Sequence, residues 1–144
     1  MNTKEIRNTF DKAIMNELDD QITSAVGTHG LWKNRLRAAI ASGTSDMAVD
    51  VARNDHQCNF GKWLHGTSLS AEAKKSNHFR TCAEMHRRFH IVASEILALA
   101  IAGKKNEASA ALAPGHEFGN LSTALTNAMM SWKTSLSGLT PAVR

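Results

Sequence analysis

The sequence predicts an all-α fold, a four-helix bundle with additional short helices. Three observations support this prediction. Apolar residues recur at intervals of three and four over long stretches, as they do on one face of an amphipathic helix. The 144-residue chain contains only two prolines, and none lies between residues 3 and 41. Runs of Val, Ile and Thr that alternate with polar residues are absent, so a sheet is not expected.

The first predicted helix runs from Thr3 to Ala41 and ends at Ser42-Gly43. Its apolar stripe comprises Phe10, Ile14, Leu18, Ile22, Ala25, Trp32, Leu36, Ala39 and Ile40. His29 occupies the place on this stripe between Ala25 and Trp32. A single histidine in such a place is more often a core residue bonded to a carbonyl than a metal ligand.

The second long helix is predicted from Asn77 to Ala102, with Gly103 in the C-cap position. Its apolar face comprises Phe79, Cys82, Phe89, Ala93, Ile96, Leu97 and Ala100. His86 and His90 stand on the same face, and side chains four residues apart on a helix lie one above the other. The two imidazoles are therefore close enough to bind one ion.

Shorter elements and a third long helix are predicted for the rest of the chain. They are a helical turn before Asp55, a helix from Gln57 to His65 that ends at Gly66, a turn over Ser70–Lys75, a short helix over Asn106–Ala113 that Pro114-Gly115 ends, and a last helix from His116 to Leu136. No linker or repeat divides the chain, so residues 1–144 are expected to form one domain.

Three histidines on the core stripes of two helices favour a metal site. Burying unpaired imidazoles would cost roughly 1–3 kcal/mol each, and a shared cation removes that cost. Cys58 is available as a fourth ligand, and three imidazoles with one thiolate suit Zn²⁺ rather than Mg²⁺ or Ca²⁺. Cys82, one turn before His86, is an alternative thiolate. Asp55 is a candidate hydrogen-bond acceptor for a ligand imidazole, although a plain surface or capping role is as compatible with its position.

The run Asp55-His56-Gln57-Cys58-Asn59-Phe60-Gly61-Lys62-Trp63-Leu64 lies between His29 and the His86-x-x-x-His90 pair. In this order the residues resemble the chemoreceptor zinc-binding family, which has a Cys-x-Phe/Leu-Gly-Lys/Arg-Trp core and three histidines. The resemblance extends to Pro114–Trp132. It implies that His29, Cys58, His86 and His90 bind one Zn²⁺, and it favours Cys58 over Cys82.

The same resemblance implies a regulatory role. Members of the family regulate bacterial chemoreceptors and diguanylate cyclases, so a zinc-sensing domain that controls chemotaxis or cyclic-di-GMP synthesis is expected. The domain would act in trans or within a longer protein, and residues 137–144 would form a junction to an output domain. The resemblance also implies a homodimer, which Met15, Leu31, Met129 and Met130 beside the stripes favour. Oxidation of a zinc-bound Cys58 by hypochlorous acid and a purely structural zinc site are the alternative functions.

Several function classes fit the sequence poorly. Arg87 stands where an HExxH protease has its general-base glutamate, and four protein ligands leave no coordination position for a substrate, so no enzymatic activity is expected. The net charge of +4 is scattered in pairs, which does not favour nucleic-acid binding. No segment has the length of apolar sequence that membrane insertion requires. The start of the chain lacks a signal core, and both points favour the cytoplasm.

Overall fold

A computed structural model describes the backbone of residues 3–138 and the side chains of residues 15–135. Seven α-helices and one 3₁₀ turn, Ala73–Lys75, make up the ordered elements of the backbone that is described. The helices are α1 (Thr3–Gly30), α2 (Trp32–Ser42), α3 (Val49–Arg53), α4 (Asn59–Leu64), α5 (Asn77–Ile101), α6 (Lys105–Leu112) and α7 (Glu117–Gly138). No strand occurs among these residues, which confirms the all-α prediction.

The predicted first helix is two helices, α1 and α2, and this is the largest departure from the expected elements. The chain tightens at Leu31, whose backbone N–H donates to the carbonyl of Thr28 over 3.2 Å instead of continuing the α-helical pattern. Gly27 and Gly30 precede this point, and glycine lowers helix stability by roughly 1 kcal/mol relative to alanine. The apolar stripe continues across the break because Trp32 and Leu36 are still buried.

Helix α5 is at the centre of the bundle and packs against α2, α3, α6 and α7, whereas α1 packs on α7 and α4. The buried residues of α5 are those of the predicted face, and His86 and His90 lie among them. Trp32, Trp63 and Trp132 are all buried, as their helical spacing predicts. The bundle therefore encloses the histidines within its core.

The boundaries of the other elements agree with the sequence to within a few residues. Helix α5 begins with a cap at Ser76, whose hydroxyl accepts from the backbone N–H of Phe79 over 3.1 Å. Gly103 follows α5 with φ of 78°, the left-handed conformation expected of a glycine after a helix. Phe10, Ile14 and Leu136 of the predicted stripes lie outside the described side chains, and residues 139–144 of the predicted junction lie outside the described backbone.

Candidate metal centre

Three parts of the chain converge on one point in the core. The end of α1 provides His29, the residue before α4 provides Cys58, and the middle of α5 provides His86 and His90. One ligand atom from each of these residues lies within 4.8 Å of the others. All four residues that the sequence singled out are thus brought together, and the three histidines are buried.

Backbone carbonyls fix the orientation of two of the imidazoles. His29 Nδ1 lies 2.9 Å from the carbonyl oxygen of Ala25, and His90 Nδ1 lies 2.8 Å from that of Ala52. Since a carbonyl only accepts, each Nδ1 carries the hydrogen and donates it. The Nε2 lone pairs of both rings are therefore directed into the shared space, as in histidines that bind metals.

The spacing of the ligand atoms fits a tetrahedral zinc ion. The three Nε2 atoms lie 3.0 Å (His29–His86), 3.1 Å (His86–His90) and 3.4 Å (His29–His90) apart. Zn–N bonds of about 2.0–2.1 Å at tetrahedral angles place two nitrogens about 3.3–3.4 Å apart. The Sγ of Cys58 lies 3.3 Å from His86 Nε2, against about 3.5–3.6 Å for a nitrogen and a sulfur on one zinc.

His86 differs from the other two histidines because no carbonyl accepts from its Nδ1. This atom is buried and has no hydrogen-bond partner. The nearest carboxylate oxygen, Asp55 Oδ2, lies 4.0 Å away, beyond direct hydrogen-bonding distance. Asp55 thus lies beside a predicted ligand without the predicted hydrogen bond to it, and it also lies 3.5 Å from Nε2 of His65.

Cys58 is positioned by the start of α4. Its extended backbone (φ −75°, ψ 161°) places it at the N-cap, where Sγ accepts from the backbone N–H of Gly61 over 3.3 Å. A Cβ on Gly61 would overlap the backbone carbonyl oxygen of Asp55, so only glycine permits this approach of α4 to the preceding loop. The Cys58-x-x-Gly61 spacing therefore presents the sulfur to the histidines.

Burial determines the protonation of the candidate ligands. Burial lowers the pKa of His29 to about 4, although the hydrogen bond to the Ala25 carbonyl raises it. Burial, with the neighbouring His90 and His29, lowers the pKa of His86 to about 2, and burial also lowers the pKa of His90. All three rings are neutral at pH 7 and can donate lone pairs to a metal. Burial raises the pKa of the Cys58 thiol, so a cation is needed to hold it as a thiolate.

Cys82 does not belong to this group. It is fully buried in α5, and burial raises its pKa to about 12, which makes it an inert core thiol. His56, His65 and His78 are exposed, as expected of residues at the surface or at a helix start. The sequence missed two functional groups, the carbonyls of Ala25 and Ala52. The first lies four residues before His29, a spacing that helix geometry could have identified, while the second has no sequence signal.

Residues 29–97 match a protein-family model described as the chemoreceptor zinc-binding domain, which confirms the resemblance seen in the sequence. The match begins at His29 and includes all four residues of the cluster. Searches of curated proteins and of solved structures found no significant match. None of the described helices combines the length and apolar character needed to cross a bilayer. Both the donor set and the matched family model indicate zinc as the metal, and residues 29–97 are similar to the chemoreceptor zinc-binding domain.

Proposed function

We propose that this chain is a cytoplasmic zinc-sensing regulatory domain that binds one Zn²⁺ through His29, Cys58, His86 and His90. The observation that carries the proposal is the inward direction of the Nε2 lone pairs of His29 and His90, which lie 3.4 Å apart. Two buried lone pairs that face each other repel, and a shared cation turns this repulsion into coordination. Asp55 Oδ2, 4.0 Å from His86 Nδ1, would become the acceptor for this ring if the carboxylate moved closer when zinc binds.

The distribution of the ligands supports a sensor. Because they come from α1, the residue before α4, and α5, zinc links segments that are far apart in the sequence. Zinc occupancy is then coupled to the arrangement of these helices. The change would pass to a dimer partner and to a signalling output, chemotaxis or cyclic-di-GMP synthesis, in trans or within a longer protein. The domain itself would regulate and not catalyse, since four protein ligands fill a tetrahedral zinc.

Zinc stoichiometry of purified variants tests the ligand assignment. Elemental analysis after dialysis against a weak chelator should give one zinc per chain in the unchanged protein and near-complete loss in Cys58→Ala and His90→Ala. Cys82→Ala is the matched control, because it removes the other thiol of the chain and should retain zinc. Loss of zinc in Cys82→Ala together with its retention in Cys58→Ala would overturn the assignment.

A second candidate, redox sensing, is favoured by the partial exposure of Cys58. Cys58 is half-buried whereas the three histidines are buried, so Cys58 is the candidate ligand most accessible to an oxidant in solution. Hypochlorous acid would convert a zinc-bound thiolate to a sulfenic acid and chloride, and the neutral product would release the metal. The raised pKa of Cys58 makes the zinc-free thiol the less reactive form.

Zinc release and Cys58 oxidation, measured together, distinguish redox sensing from zinc sensing. A redox sensor should release zinc at one equivalent of hypochlorous acid, and a reductant should restore binding. Zinc-free protein should react more slowly at Cys58 under the same conditions. Sulfenic acid formation without zinc release would exclude the redox function and leave zinc sensing unaffected.

A further inference from the structure

A second cluster of ligating side chains lies outside the zinc centre, at the surface beside it. Asp55, His56 and His65 each place one ligand atom within 4.8 Å of the others. His65 Nε2 lies 3.5 Å from Asp55 Oδ2, and the rings of His56 and His65 stack with their centroids 3.8 Å apart. The inner site uses none of the three as a ligand.

The backbone holds these three residues together independently of any metal. His56 follows Asp55 directly, and the His56 backbone N–H donates to Asn54 Oδ1 over 3.0 Å. His65 is the C-cap of α4, and its backbone N–H donates to the carbonyl of Gly61 over 3.0 Å. Because Gly61 lies against the backbone of Asp55, both ends of the cluster are joined at one close contact. The backbone positions that bear the three side chains are therefore fixed close to one another.

We propose that Asp55, His56 and His65 form a second, weaker site for a divalent transition-metal ion, with Zn²⁺ as its natural probe. Two imidazoles and one carboxylate are ligands of the kind that Zn²⁺ accepts, and three protein ligands leave a coordination position for water. The side chains of His65 and Asp55 are 28% and 15% exposed, so an ion can enter from solvent. This site goes beyond the proposed zinc sensor, since it would bind a second ion.

Two features make the outer site weaker than the inner one. Parallel stacked rings cannot both direct a lone pair at one ion, so one ring must turn, and the torsion of an exposed His56 permits this. Lys74 lies close enough to His65 to oppose a positive charge there, although its ammonium is bonded to the carbonyl of Gly66 over 2.6 Å. The outer site should thus fill at higher zinc concentrations than the inner site.

The two sites share Asp55. Its carboxylate oxygen lies between Nδ1 of His86, at 4.0 Å, and Nε2 of His65, at 3.5 Å. An ion in the outer site would draw this carboxylate away from His86. Occupancy of the outer site is therefore expected to alter the environment of an inner ligand.

Calorimetric titration of protein already loaded with one zinc tests the proposal. Zn²⁺ should bind in a second, weaker equivalent to the unchanged protein, and His65→Ala should weaken that equivalent at least tenfold while retaining the first. His78→Ala is the control, since it removes an exposed histidine of α5 and should leave both equivalents intact. In NMR spectra the second equivalent should shift the ring signals of His56, His65 and His86.

Two results would overturn the proposal. The first is a chain that binds no second equivalent at millimolar zinc. The second is a second equivalent that His65→Ala leaves unchanged, because the ion would then lie elsewhere. Failure of the inner site would be recognised separately, since the first equivalent would then be missing from the unchanged protein.

Discussion

At the scale of single residues, the geometry of the candidate zinc centre depends on a contact between backbone atoms that carries no charge. Gly61 allows α4 to touch the backbone of Asp55, and this contact positions both the Cys58 sulfur and the Asp55 carboxylate. Gly61 fits there only because it lacks a Cβ, so the geometry of the site depends on it as well as on the candidate ligands. The motif residues Phe60 and Trp63 then fix α4 from its buried side.

Substitution of Gly61 by Ala should therefore damage both the fold and the metal site. The added methyl group overlaps the Asp55 carbonyl, so the loop and α4 must separate, at a cost of about 1–3 kcal/mol in the free energy of unfolding. Zinc affinity should fall with it, because the Cys58 sulfur moves. Gly27→Ala is the matched control: a Cβ there meets nothing within 4 Å, and the change should stabilise α1 by about 0.5–1 kcal/mol. Urea unfolding and zinc competition measure the two effects, and equal behaviour of the variants would contradict this account.

The identity of the clustered residues could be predicted from the sequence, but not their hydrogen bonds. His29, His86 and His90 were recognisable because they replace apolar residues on helical stripes, a pattern that needs only local periodicity. The partner of His90, the carbonyl of Ala52, lies 38 residues away and carries no distinguishing side chain. The proximity of His65 to Asp55 was missed for the same reason, since it arises from the fold of a loop.

At the scale of elements, long helices were predictable and the break between α1 and α2 was not. The stripe continues through the break, and periodicity cannot distinguish a continuous helix from two helices that share a face. Gly27 and Gly30 were the only local signals, and isolated glycines are tolerated in helices. The tightening at Leu31 comes just after His29 and thus places a break between two helices beside a candidate ligand.

Among the elements that hold the candidate ligands, α4 should respond first to metal removal. It has six residues, and Cys58 before it is the least buried of the four candidates, whereas α5 is packed along its length. Local opening requires least free energy where few contacts are lost. Hydrogen exchange should show lost protection over residues 57–65 in chelated protein before α5 or α7 changes. A uniform loss of protection in all helices would instead mean that zinc holds the whole fold together, as a structural site does.

At the scale of the whole molecule, three buried neutral histidines make the zinc-free fold sensitive to acid. The pKa of His29 falls from 6.5 to about 4 on folding and that of His86 from 6.5 to about 2, so the unfolded chain binds more protons below pH 6.5. The free energy of unfolding should therefore be constant above about pH 7 and decrease as the pH falls through 6.5 towards 4.

Urea unfolding of the zinc-free protein between pH 7.5 and 4.5 would measure this dependence. His86→Gln should make the slope shallower, because the variant lacks the group with the largest shift. An equal slope in both proteins would show that other groups cause the acid sensitivity. Surface His78→Gln serves as the control and should leave the slope unchanged.

The assembly of the molecule is the remaining prediction at this scale. Of the four residues that suggested a homodimer, Leu31 and Met130 are 63% and 45% exposed, but Met129 is fully buried and cannot contribute to an interface. Exposed large apolar residues such as these two are candidates for contact with a second copy, and two-fold contacts are the commonest arrangement.

Sedimentation of zinc-loaded protein at tens of micromolar should reveal a dimer that Leu31→Glu or Met130→Glu weakens. Ile101→Glu provides the comparison, because Ile101 is 44% exposed at the C-terminal end of α5 and was not among the predicted contacts. A dimer weakened only by Ile101→Glu would place the interface at that end of the bundle. A monomer under these conditions would contradict the dimer, and a change in helix arrangement on zinc binding would then have to reach the signalling output within a single chain.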